Sequence, residues 1–497
     1  MRTSGILMPV FSLPSPFGIG TFGKEAYEFV DFLRLAGQSY WQILPLSPTS
    51  FGDSPYQSFS SYAGNPYFID LDTLCNENLL KREDYENIDF GTNEEEVDYE
   101  KLYNNRYKVL KTAFKNFDAK NSEYQSFCEK EKGWLNDYAL FMAIKDYKKG
   151  EAWYNWEKPL KFREKKTIKE IQEQLKDDIE FYKFLQFEFF SQWEALKKYA
   201  NENGIKIIGD MPIYVAHDSA DVWSRPEQFL LDVNLTPTLV AGCPPDAFTD
   251  EGQLWGNPVY DWEYMRNEKT PFSWWRNRIK FALRVYDKVR IDHFRGFESF
   301  YTVNYGAKTA KDGRWRKGPD MELFKFIKQD FEGEEIPIIA EDLGFLTKEV
   351  EKLLKSSGFP GMKVLQFAFD GEGDNQYLPH NYNKNCVVYT GTHDNDTVNG
   401  WANTANSGEV EFARRYMHVD ENEGFNWAMI RTALMSVADT AIIMMPDLLG
   451  MGSVARINTP STVGENWKWR IGKGCINPWL AGIVKENTGI YGRATKI

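Results

Sequence analysis

Cysteine is scarce in this chain: five residues in 497, at 75, 128, 243, 386 and 475, odd in number and with no CxxC pair. That excludes a disulfide framework and a zinc ribbon, and it fits a reducing cytoplasm. No run approaches the roughly 18 to 20 apolar residues of a membrane span. The first residues are interrupted by Pro9, Pro14, Pro16 and Gly18, so the apolar core of a signal peptide is missing too, and a membrane partner is not expected. A basic stripe is also lacking. The 72 acidic residues outnumber 59 scattered basic ones, for a net charge of -13, so nucleic acid is not expected as a partner. No GxGxxG follows a strand pattern and no Walker A segment is present, which removes the common nucleotide-binding signatures. The five His (217, 293, 380, 393, 418) form neither HxH nor HExxH.

Aromatic residues are abundant, at 15% of the chain, and many fall in Pro/Gly/Asn-rich stretches. Sugars offer apolar C–H faces to such rings while their hydroxyls need carboxylates and amides, so this mixture suits saccharide binding. A large core rich in aromatics would give the same composition.

Residues 1–23 read as irregular. Lys24–Leu35 has helical spacing closed by Gly37, and Tyr40–Leu46 reads as the first strand. The loop 47–66 is long, polar and aromatic, and loops of that length after a strand are commonly functional. Residues 75–203 turn Lys/Glu-rich with apolar residues at helical intervals, predicting an inserted helical subdomain whose charge runs are solvated faces. Strand and helix signals then alternate. Strand candidates are 205–212, 288–296, 336–344, 362–370, 385–394 and 441–448, each apolar first and acid-bearing last: Asp210, Asp292, Glu341, Asp370, Asp394, Asp447. This pattern predicts an α/β fold, a single (β/α)8 barrel over 1–497 with inserted, mainly helical subdomains, whose strand ends line one catalytic mouth. The stretch 242–262 is too rich in Pro, Gly and Trp for a helix or strand and reads as a flap over that mouth, or as a surface loop anchored by a buried Trp.

The segment DKVRIDHFRG (287–296) is the centre of the chain. Period-two alternation puts Arg290 and Asp292 on one strand face, with Val289, Ile291 and His293 on the other. An adjacent Arg favours an ionised carboxylate, which suits a nucleophile, although a structural ion pair would look the same. Glycosidic cleavage needs two carboxyl groups, and Asp292, Glu341 and Asp394 stand out on three strand candidates. If Glu341 lies in a closed mouth near Asp292, burial and the neighbouring charge both raise its pKa, as a general acid/base requires. The pair His393–Asp394 has the donor and acceptor to grip vicinal hydroxyls. A metal-dependent hydrolase using the same His and acids is the competing reading, weakened by the absence of ligand-like His spacing.

Six motifs then carry a family resemblance: SPYQSFSSYAGNP (54–66), GDMPIYVAHDSADVW (209–223), PPDAFTDEGQLWGNPVYDW (244–262), VRIDHFRG (289–296), IAEDLG (339–344) and YTGTHDNDT (389–397). The chain resembles the amylomaltases, the 4-α-glucanotransferases or disproportionating enzymes. The resemblance implies an α-amylase-like (β/α)8 barrel with no C-terminal β-domain, acting without metal or organic cofactor on α-1,4-glucans such as maltooligosaccharides and starch or glycogen fragments. It implies Asp292 as nucleophile, Glu341 as acid/base and Asp394 as the third carboxylate that stabilises the distorted sugar. Arg290 and His393 then hold the nucleophile and the scissile-site sugar, and Asp370 contacts a donor-side sugar. Tyr56, Asp210, Trp255 and Asn458 also fall among its substrate-site positions. One departure is Ser461, where the family pattern leads us to expect Gly after the NTP turn of RINTPSTVGENWKWR. For a retaining enzyme the Asp292 and Glu341 carboxyls should lie roughly 5 to 5.5 Å apart. The alternatives are an α-glucan hydrolase, with 242–262 as the discriminating segment, and a glucan-binding protein without catalysis.

Overall fold

The computed structural model describes residues 2–245, 250–344, 346–420 and 422–495. Its centre is a sheet of eight parallel strands: β1 (Thr3–Leu7), β2 (Tyr40–Gln42), β3 (Lys206–Met211), β6 (Lys288–Ile291), β9 (Ile338–Ala340), β10 (Gly361–Val364), β11 (Cys386–Tyr389) and β12 (Thr440–Met444). Each neighbours the next in chain order, and β1 pairs with β12, Thr3 opposite Thr440 and Leu7 opposite Met444. The remaining seam is drawn together by the Ala340 N–H, which donates to the Pro360 carbonyl at 2.9 Å, and by the Met362 N–H, which donates to Asp342 Oδ1 at 2.6 Å. The result is a nearly closed (β/α)8 barrel. Its strands are short and buried on both faces, so they read as apolar runs rather than alternating ones.

Two expectations are corrected here. Residues 1–23 are not irregular throughout: Thr3–Leu7 is a barrel strand. Its run TSGIL is only five residues long and broken by Gly5, where a Cβ would meet Tyr40 Cβ and O at 2.6 Å, so the glycine serves close strand approach instead of a turn. The stretch 242–262 is not strand-free either. β4 (Leu239–Cys243) and β5 (Gln253–Pro258) form an antiparallel pair with an irregular register between Val240 and Gly242, and Gly252 and Gly256 take φ of +68° and +77°. Those two glycines supply the turn and the bulge, which is why a Gly/Pro-rich segment still pairs. Residues 246–249 of that stretch lie outside the described residues. With β7 (Ser299–Asn304) and β8 (Arg314–Lys317) the pair makes a second sheet, in order β5-β4-β7-β8.

The strand candidates also run longer than the strands. The six acid-bearing candidates give strands that stop before or within those ends, so Asp292, Glu341, Asp370 and Asp394 sit in the segments that follow and Asp447 on the short helix Met445–Leu448. Only Asp210 remains within a strand.

In 75–203 the long elements are helices, Tyr99–Asn116, Ser122–Tyr147, Lys165–Gln174 and Lys176–Glu202. The last also covers the barrel: Trp193 Nε1 donates to the Val285 carbonyl at 3.0 Å. From the same helix Gln186 pairs with the backbone of Gly64 in both directions, at 2.7 and 2.9 Å, and Gln192 Oε1 accepts from Asp70 N at 2.7 Å. Gly64 fits because a Cβ there would stand 2.1 Å from the Phe189 ring. These contacts hold the end of loop 47–66, whose own Thr49–Ser58 bridge orders the part that reaches the mouth.

Candidate active site

The site begins with a buried guanidinium. Arg290, 3% exposed, points from β6 to β3, where its NH1 donates to Asp210 Oδ1 and Oδ2 at 2.9 and 2.7 Å; its NH2 lies 2.9 Å from Asp292 Oδ1. Alternation therefore places Arg290 and Asp292 together as expected, while the stronger Asp210 contact crosses 80 residues. Burial opposes the Arg290 charge, but Asp210 and then Asp292 outweigh it and hold the guanidinium charged. Burial pushes the Asp210 carboxyl up, against the pull of Arg290. Tyr56 completes this layer from loop 47–66: its hydroxyl donates to Asp210 Oδ2 at 2.9 Å, and its ring stacks on His393 with centroids 5.0 Å apart.

Glu341 follows β9. Its Oε2 accepts from the His293 N–H and its Oε1 from the Leu343 N–H, each at 2.7 Å. Burial raises its pKa to about 7, the Asp292 charge adds to the rise, and Arg290 and the two backbone N–H groups oppose it. Asp292 itself is partly open, with 30% of its side chain exposed. Two carboxyl groups in one mouth thus have different surroundings, one against a cation and one held toward its neutral form.

The third carboxylate stands on the loop after β11. Asp394 Oδ1 accepts from Asn458 Nδ2 at 2.6 Å and lies 3.4 Å from His393 Nε2, and its carbonyl accepts from Arg456 at 2.9 Å. Asn458 N also donates to the His393 carbonyl at 3.0 Å, so two loops are joined at this point. Trp255 arrives on β5 and meets the His293 ring edge to face at 4.9 Å. Asp370 lies apart from these contacts. It is exposed on the turn after β10 and holds its own loop, accepting from Asn375 Nδ2 at 2.8 Å and Glu372 N at 3.0 Å.

The sequence places His293 on the opposite strand face, where it offers itself only as a possible metal ligand. It takes φ of +52° beyond the strand, so alternation stops at Asp292, and the left-handed turn aims its N–H at Glu341. Burial pushes its imidazole down to about 4, leaving it neutral, and Nε2 has no hydrogen-bond partner among the described residues. No periodicity rule could have shown this; the sharp turn HFRG was the one available signal. Among the described residues, no group of three or more His, Cys, Asp or Glu could hold a metal ion, and no helix is long and apolar enough to cross a membrane.

Comparison with known proteins gives the family. Residues 8–474 match the family model described as 4-alpha-glucanotransferase. A 4-alpha-glucanotransferase of Clostridium butyricum is 55% identical over 98% of this chain and 100% of its own, and that of Thermus thermophilus is 47% identical over 96% of each. The solved amylomaltase of Streptococcus agalactiae, in complex with acarbose, superposes with a TM-score of 0.96 at 45% identity, covering 99% of this chain and 100% of that one. None of these relatives favours the hydrolase alternative. With the match running through the strand ends that build the mouth, the chain belongs to the 4-alpha-glucanotransferase family.

Proposed function

We propose that this enzyme transfers α-1,4-glucan segments by two displacements with retention at the anomeric carbon. Asp292 Oδ attacks the anomeric carbon of the donor glucan while Glu341 gives its proton to the departing glycosidic oxygen, leaving a covalent glycosyl-enzyme. Glu341, now a carboxylate, takes a proton from the 4-hydroxyl of an acceptor glucan or glucose; that oxygen attacks the anomeric carbon and releases Asp292. Arg290, fixed by Asp210, steers Asp292 and disperses its charge. Asp394 and His393 bind the hydroxyls of the distorted sugar, and their grip tightens as the oxocarbenium character develops. Tyr56, Trp255, Asn458 and Asp370 contribute to glucan contact, and the β4–β5 hairpin acts as the flap. That the Streptococcus agalactiae relative was solved in complex with acarbose supports a saccharide ligand for this chain.

The observation that carries the reading is the division between the carboxyl groups: Asp292 on Arg290 and open, Glu341 raised to about 7. Incubation with maltotriose alone tests it. Glucose with maltopentaose and longer chains is expected, and Asp292→Asn should lower the rate by about 10³-fold or more. Equal glucose and maltose with nothing longer would make water the acceptor and refute transfer.

A further inference from the structure

One strand-end carboxylate has no part in that chemistry. Asp447 follows β12 on the short helix Met445–Leu448, is 1% exposed, and has no cationic partner among the described residues. Its Oδ2 accepts from Thr390 Oγ1 at 2.6 Å and its Oδ1 from the Val398 N–H at 2.8 Å. Thr390 is the first residue after β11, and Val398 opens the helix Val398–Thr404, so its N–H is one of the orphan donors of a helix start. Between those two residues runs the loop that carries His393 and Asp394. A single side chain therefore ties both ends of that loop to the end of the neighbouring strand.

The segment beyond Asp447 holds the same loop along its length. Ser453 Oγ donates to Asp396 Oδ2 at 2.7 Å, Arg456 to the Asp394 carbonyl at 2.9 Å, and Asn458 Nδ2 to Asp394 Oδ1 at 2.6 Å. Asp447 is in turn fixed by its own carbonyl, which accepts from Asn426 Nδ2 at 2.8 Å and Gly450 N at 3.1 Å.

We propose that Asp447 is a positioning residue for glucan transfer: it sets the span of loop 390–398 and so the placement of Asp394 and His393 over the Asp292–Glu341 pair. This rests on the role given to Asp394 above. Burial pushes the Asp447 carboxyl up to about 7, so the fold carries an uncompensated acid at a place where its two hydrogen bonds serve the loop.

The test compares Asp447→Ala, Asp447→Asn and Thr390→Val in the full-length chain, by maltotriose kinetics and by hydrogen exchange of the 391–398 amides. In Asp447→Ala, kcat falls roughly ten- to a hundredfold with KM changed less than about threefold, the pattern of a misplaced transition-state contact. Exchange rises in 391–398 and not in β1–β3. Asp447→Asn restores most of kcat, because its Oδ1 still accepts from Val398 and its Nδ2 can donate to Thr390 Oγ1. Thr390→Val moves both readouts in the same direction as Ala but less. An unchanged kcat in a folded Asp447→Ala protein overturns the proposal, as does faster exchange throughout the barrel or an Asn variant no better than Ala. Should Asp447→Ala fail to fold, Thr390→Val decides: full kcat with unchanged exchange overturns it. Asp394→Asn separates the two claims, since full transfer in that variant refutes the role of Asp394, whereas the exchange readout still tests the loop tie.

Discussion

Replacing Glu341 by Gln should make the protein gain stability, relative to the parent, as pH rises. The carboxyl moves from 4.5 in its reference state to about 7 in the folded mouth. A group whose folded pKa is raised supports the fold fully below the unfolded value and loses that support as pH climbs through the folded one. Between pH 5 and pH 8 the shift corresponds to roughly 2 kcal/mol once the partial exposure of Glu341 at the mouth is discounted. Gln cannot ionise, so it escapes this loss; any mismatch of its NH2 with the His293 or Leu343 N–H is the same at every pH. An unfolding entropy of ~2.1 cal/mol/K per residue gives ~1 kcal/mol/K for this chain, so the Tm of Glu341→Gln minus that of the parent should rise by ~2 °C from pH 5 to pH 8. Paired calorimetric scans at the two pH values measure it. A Tm difference that stays constant, or moves the other way, would show that Glu341 is not held toward its neutral form, and the assignment of the acid would fall with it.

Two further outcomes follow from the same contacts. Asp210→Asn removes the zero-exposure carboxylate charge that takes the two hydrogen bonds of Arg290 NH1, so urea unfolding should show a loss of about 3–5 kcal/mol; a loss under about 1 kcal/mol would mean Asp292 suffices to hold the guanidinium. Ser461, exposed with φ of +64°, occupies left-handed backbone, and Ser461→Gly should raise stability by up to ~1 kcal/mol in the same assay, with destabilisation arguing against strain there.

The barrel was legible because its strands are buried on both faces and end in acids: apolar runs closing on Asp210, Asp292 and Glu341 say where a mouth lies without saying what faces what. Helix Lys24–Leu35 was readable to the residue, since its apolar spacing starts after Gly23 and stops before Gly37. Thr3–Leu7 was not, because only the partners Tyr40 and Thr440 define it as a strand. The β4–β5 hairpin was hidden for a different reason, its glycines marking bulge and turn positions that local rules read as loop. Within the site, the sequence neighbours Arg290 and Asp292 were readable, whereas the Asp210–Arg290 and Glu341–His293 contacts span elements far apart in the chain. The positive φ of Ser461 gives a physical reason for the glycine expected there.

The pairing of β1 with β12 also sets a timetable. The Thr3 and Thr440 hydroxyls meet at 3.0 Å across 437 residues of chain. At ~5–20 residues per second a ribosome needs about 20 to 90 seconds to deliver the second partner after the first. Throughout that interval β1 has an unpaired edge, the kind that recruits other strands. Closure of this barrel is therefore a late, all-at-once event in the life of the nascent polypeptide, and a chain stopped before residue 440 has its first strand without the neighbour that seals it.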